Sequence, residues 1–71
     1  MTQKERVLQH LQERGDITPL EAMDLYGIMR LGARIWDLRS DGYAIKRETV
    51  AGKNRFGEAT QYARYRLEAV E

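Results

Sequence analysis

Apolar positions recur at helical spacing through the first forty residues and alternate through the remainder. Thr2-Gln3-Lys4-Glu5 is a capping box: the threonine hydroxyl can accept from the amide of Glu5, and the glutamate can reach back to the amide of Thr2. Val7, Leu8 and Leu11 follow on one face, and Gly15 can adopt the left-handed conformation that closes a helix. Asp16-Ile17 reads as a short extended link. Thr18-Pro19-Leu20-Glu21 is a second start signal, with proline at the first helical position and another capping box. The helix it opens carries Leu20, Ala22, Met23, Leu25 and Tyr26 and stops at Gly27. A third helix is predicted from about 29 to 41, ending at Asp41-Gly42. On a wheel of about 100° per residue, Ile28, Leu31, Ile35 and Leu38 share one side, and Met29, Arg30, Ala33, Trp36 and Asp37 the other.

After Gly42 the period changes. Tyr43 to Val50 and Thr60 to Leu67 alternate loosely and are rich in β-formers, with Ala63, Tyr65 and Leu67 on a common face. The stretch at about 51–59 contains two glycines and Asn54, which mark a hairpin loop too long for a two-residue turn. The expected fold is α+β: three helices and a C-terminal β-hairpin of two or three strands, in one domain over 1–71. Val7, Leu8, Leu11, Ile17, Leu25, Ile28, Ile35, Leu38, Ile45, Tyr65 and Leu67 are the expected core.

Composition narrows the chemistry. The chain has 71 residues and no cysteine, so thiolate zinc sites are excluded. His10 is the single histidine, read as a solvated side chain on the helix surface, since a metal needs several ligands. No metal or cofactor is expected. Nor is an enzyme: no nucleophile–base pair, no phosphate-cradling glycine loop and no ligand cluster stands out, and so small a core leaves no room for a substantial closed pocket. No stretch approaches the ~18 to 20 apolar residues of a bilayer span, and the amino terminus lacks the order of a signal peptide. The expectation is a cytoplasmic protein with no membrane partner.

The net charge of +1 says little, but its distribution says more. Residues 1–27 carry three cations against five acids, for −2; residues 28–57 carry seven against three, for +4; the remainder carries two against three, for −1. Cations gather mid-chain, as they do where phosphates are bound.

A helix of about two turns, a turn built on Tyr26-Gly27-Ile28 and a second helix describe a helix-turn-helix, whose second helix enters the major groove. Followed by a hairpin, it becomes a winged helix. Ile17-Thr18-Pro19-Leu20-Glu21-Ala22, Gly27-Ile28-Met29-Arg30-Leu31, Ile35-Trp36-Asp37-Leu38-Arg39 and Gly42-Tyr43-Ala44-Ile45 together resemble the small winged helix-turn-helix domains of phage and bacterial genomes. Ala63-Arg64-Tyr65-Arg66-Leu67 is similar to their last wing strand. The resemblance spans nearly the whole chain. It implies double-stranded DNA as the partner, in a small transcriptional regulator or a recombination accessory factor.

The residues support that expectation independently. A major groove about 12 Å wide accepts one helix and is read by outward side chains. Met29, Arg30, Gly32, Ala33, Arg34, Trp36 and Asp37 are the candidates on the third helix. Arg30 suits the bidentate contact to guanine; Gly32 and Ala33 permit close approach; Asp37 can accept from cytosine or orient an arginine; Arg34 can instead pair with Asp37. Trp36 is expected to pack under the hairpin, with a contact to DNA or a protein as the alternatives. Lys53, Asn54 and Arg55 at the hairpin tip, with Lys46 and Arg47 on its strand, are candidates for phosphate or minor-groove contacts. A domain this small is expected to dimerise or bind cooperatively on DNA. The open alternative is a winged helix for protein contact, such as a phage protein that modulates a host complex.

Overall fold

A computed structural model describes residues 1–68; residues 69–71, within the expected domain, lie outside the described residues. The elements are α1 (Gln3–Arg14), β1 (Asp16–Ile17), α2 (Pro19–Tyr26), α3 (Leu31–Ser40), β2 (Ile45–Lys53) and β3 (Ala59–Leu67). Both capping boxes form. Glu5 N donates to Thr2 Oγ1 at 3.1 Å and Glu21 N to Thr18 Oγ1 at 3.2 Å, while each glutamate accepts from its threonine amide. Gly15 ends α1 at φ 90°, as the sequence predicts.

The three strands form one antiparallel sheet in the order β1-β3-β2. Ile17 faces Tyr65 and Ile45 faces Leu67, so the two-residue β1 and the first residues of β2 hold the two edges of β3 at its carboxyl end. The rest of the β2–β3 ribbon runs on beyond the helices. The hairpin strands are longer than expected, leaving only residues 54–58 as loop. The reason lies in the turn itself: Asn54 N donates to Glu58 O at 3.0 Å, which extends the pairing past Gly52 and Lys53.

The core is built from Val7 and Leu11 of α1, Ile17, Ala22, Ile28, three residues of α3 (Leu31, Ile35, Leu38) and Ile45. Burying each aliphatic side chain contributes about 1.5–3 kcal/mol. Leu8, Tyr65 and Leu67 pack against its margin, half-buried.

Two expectations are corrected here. Leu25 is not in the core: it is 57% exposed, because α2 turns Ala22 and Tyr26 inward instead. The small alanine lets α2 lie close against its neighbours, which leaves its bulkier residues outside. His10 is not a solvated surface group: it is 1% exposed, and its Nδ1 shares a 2.7 Å hydrogen bond with the Tyr26 hydroxyl. Its position explains this, three residues after Val7 and one before Leu11, on the inward face of α1. Among the described residues, no helix is long and apolar enough to cross a membrane.

Candidate nucleic-acid interface

The turn before α3 sets where that helix points. Gly27 adopts φ 66°, and Ile28 N donates to Ala22 O at 3.0 Å, so the chain leaves α2 sharply and Ile28 drops into the core. Met29 and Arg30 then precede the helix, which starts at Leu31 and ends at Ser40, within the expected span of 29–41 but shorter at both ends. Arg30 is the N-cap residue, at φ −114° and ψ 60°, and its carbonyl accepts from Ala33 at 3.1 Å. Its side chain makes no capping hydrogen bond, and the residue is exposed.

Burial of Leu31, Ile35 and Leu38 fixes which residues face outward. Met29 is 80% exposed and Trp36 67% exposed. The expectation that Trp36 packs under the hairpin is therefore overturned: it lies on the side of α3 opposite the core residues, where the described residues leave most of it uncovered. Gly32 turns toward the sheet, since a Cβ there would stand 3.9 Å from Tyr65 Oη. Arg34 and Asp37 lie toward the amino end of α1, with Gln3 and Lys4 nearby. Arg34 Nε is 3.2 Å from Asp37 Oδ2, close enough for an ion pair although the N–H is not aligned for a hydrogen bond. Both side chains are half-buried. Ala33 is half-buried as well.

The ribbon sorts its residues by alternation. Arg47, Thr49, Ala51 and Lys53 share the face of β2 that carries buried Ile45, and Tyr65, Ala63, Gln61 and Ala59 oppose them on β3. Arg47 pairs with Tyr65, whose hydroxyl stands near Gly32, so Arg47 emerges beside the start of α3. Lys46 is on the other face, opposite Arg66, and is not brought to the α3 side. That far face is a structural ion cluster: Arg64 Nη2 donates to Glu48 Oε2 at 2.9 Å, and Arg66 Nη1 lies 3.6 Å from Glu48 Oε1. The hydrogen bond from Arg64 and the two guanidinium charges hold the Glu48 carboxyl below its usual range.

Lys53 and Arg55 are exposed at the ribbon tip. Asn54 has a structural task first, because its Oδ1 accepts from Phe56 N at 2.9 Å and Glu58 N at 3.1 Å, which leaves only its amide NH₂ for a ligand.

A family model described as a winged helix-turn-helix domain matches residues 2–70. The chain belongs to the winged helix-turn-helix family. Neither the curated proteins nor the solved structures compared with it gave a match. Within this winged helix, α2, the turn at Gly27 and α3 are the helix-turn-helix, and β2 and β3 are the wing. The fold is typically non-enzymatic.

Two residues of the winged helix escaped the reading from sequence. Thr49 and Gln61 are exposed on the wing face shared with Arg47 and Lys53. Counting by twos from Ile45 finds the first; the second needs the register, in which Ala51 faces Gln61.

Proposed function

We propose that this winged helix binds double-stranded DNA, with α3 in the major groove and the wing tip on the adjacent backbone or minor groove. The observation that carries the reading is the outward side of α3. Its start presents Arg30, unpaired among the described residues, beside Met29, and its middle presents Trp36, with the half-buried Ala33 and Asp37 at its margin. Arg30 suits bidentate recognition of guanine O6 and N7. Met29 and the edge of Trp36 offer apolar contact to thymine methyl groups. Gly32 and Ala33 let the backbone approach, and Arg34, braced by Asp37, stands at the flank. Arg47, Lys53 and Arg55 supply phosphate contacts; Asn54 contributes its NH₂, and Lys46 lies too far round the ribbon for the same strand. The role fits a small transcriptional regulator or a recombination accessory factor in the cytoplasm, bound as a dimer or side by side on its site.

The test is selection of bound duplexes from a random pool at two salt concentrations, followed by titration of the variants. Phosphate contacts make affinity fall steeply with salt, with a slope of about −0.9 per contact. Lys53→Ala is expected to weaken all duplexes alike and to reduce that slope by about one contact. Arg30→Ala is expected to cost about 1–3 kcal/mol and relax the preference at one base pair. Unchanged affinity in both variants overturns the assignment of this surface.

One observation favours a second reading, protein contact. An open cleft of about 800 Å³ lies between the start of α2 and the far face of the sheet, where Leu20, Met23 and Tyr62 are exposed. Binding that persists at high salt with a protein and never appears with DNA would select it.

A further inference from the structure

The wing tapers toward its tip. Its last two cross-strand pairs are Gly52 with Thr60 and Lys53 with Ala59, and Ala51 with Gln61 precedes them, so small residues occupy one side of each of these pairs. A Cβ on Gly52 would stand 3.3 Å from Tyr62 Cε1, so the tyrosine ring lies close over the glycine. Beyond Arg47 the strand runs on for six residues, roughly 20 Å at a rise of about 3.3 Å each.

At the end of this narrow blade stands one large apolar side chain. Phe56 is 77% exposed. A lone exposed phenyl on a broad surface needs no explanation, but this one is held in place. Phe56 N donates to Asn54 Oδ1, Glu58 N to the same oxygen, Gly57 N to Asn54 O, and Asn54 N to Glu58 O, all at 2.9–3.1 Å. Gly57 sits at φ 78°, a conformation that favours glycine and completes the turn. The loop is thus a closed, hydrogen-bonded unit that fixes the backbone under the ring. Lys53 and Arg55 flank it with two positive charges, and the one acid of the loop is Glu58.

A slender ribbon, cations at its edge and a fixed apolar point are the elements of a minor-groove wedge. The minor groove is about 6 Å wide and 7.5 Å deep, lined by phosphates on both walls. Phosphates select Lys53 and Arg55. The groove floor, between stacked bases, offers a phenyl ring the apolar surroundings it lacks in this chain. Apolar wedges inserted at a base step partly unstack it and kink the duplex by about 20–90° toward the major groove.

We propose that Phe56 is such a wedge, so that this domain bends the DNA it binds. The inference rests on the duplex reading above and adds deformation of the DNA to it. It assigns a role to a residue that no base or phosphate contact requires.

The bend is measured by energy transfer between dyes at the two ends of a duplex of about 30 base pairs, selected from the random pool, at saturating protein. Wild type is expected to bend it within the range above. Phe56→Ala, which truncates a side chain that is 77% exposed, is expected to remain folded, still bind, and lose more than half of the bend. Phe56→Leu, which keeps an apolar point, is expected to retain most of it. A wild-type complex that binds and leaves the duplex straight overturns the wedge and leaves the duplex reading standing, as does an undiminished bend in Phe56→Ala. Absence of binding to every duplex in the pool overturns both.

Discussion

Arg39 donates from Nε and Nη2 to one main-chain oxygen, that of Ile45, at 3.0 and 2.8 Å. The contact joins the last turn of α3 to the first residue of the wing strand, across the turn at Asp41 and Gly42. It fixes the angle between the two surfaces that must meet one duplex together. Hydrogen bonds from a charged group contribute about 1.5–3 kcal/mol, so Arg39→Ala is expected to lose about that much stability in urea denaturation. Arg39→Lys should recover only part, because an ammonium lacks the planar fork. Unchanged stability in the alanine variant would show that the contact does not brace the wing.

The pair of His10 and Tyr26 is the polar heart of the α1–α2 contact. The rings meet edge to face, with centroids 5.6 Å apart. Tyr26→Phe removes one half of the hydrogen bond and leaves buried His10 Nδ1 without a partner, which costs about 1–3 kcal/mol. Adding His10→Leu should restore part of that loss, since two apolar groups leave nothing unsatisfied. A double variant no more stable than Tyr26→Phe alone would contradict this account.

Trp36 is the single tryptophan and stands on the proposed DNA surface, so it reports on binding directly. Free protein should emit like indole in water, and addition of duplex should shift or quench that emission. Trp36→Ala is expected to leave stability within about 0.5 kcal/mol, as exposed substitutions do, while lowering affinity for duplex. An emission spectrum indifferent to saturating duplex would remove Trp36 from the interface.

Much of this fold was legible because local signals agreed with one another. Thr2 with Glu5, Thr18 with Glu21, and Gly15, Gly27 and Gly42 marked helix boundaries through backbone chemistry that needs no tertiary partner. Where tertiary packing decides, residue type misled. Leu25 is more apolar than Ala22, yet Ala22 is inside, because close approach of two helices rewards small size. The polar chemistry of His10 points to solvent, but its place between Val7 and Leu11 puts it in the core. At the candidate site, Arg30 is exposed as the wheel predicts, but as the N-cap residue before α3 rather than on one of its turns, because the helix starts two residues later than its apolar period suggests. The separation of Lys46 from Arg47 followed from strand alternation alone, but only once Ile45 was known to face inward. Trp36 defied the expectation because its bulk argued for burial while its wheel position argued for exposure, and position prevailed.

The ion cluster on the far face of the wing gives stability a definite acid dependence. Glu48 is held below the ordinary carboxyl value of 4.5, first by the hydrogen bond from Arg64 and then by the charges of Arg66 and Arg64. A group whose pKa is lowered by folding stabilises the folded state above its unfolded value, and loses that contribution as pH falls through its folded value. Wild type should therefore be more stable than Glu48→Gln at neutral pH, with a gap that starts to close below about 4.5 and is gone once the carboxyl is protonated in both states. Added salt should narrow the same gap, since the side chains are only partly shielded from solvent. The measurement is a series of thermal melts of the two proteins across the acid range. A gap that stays constant from neutral to strongly acid solution would mean that the carboxylate charge of Glu48 does not support the wing.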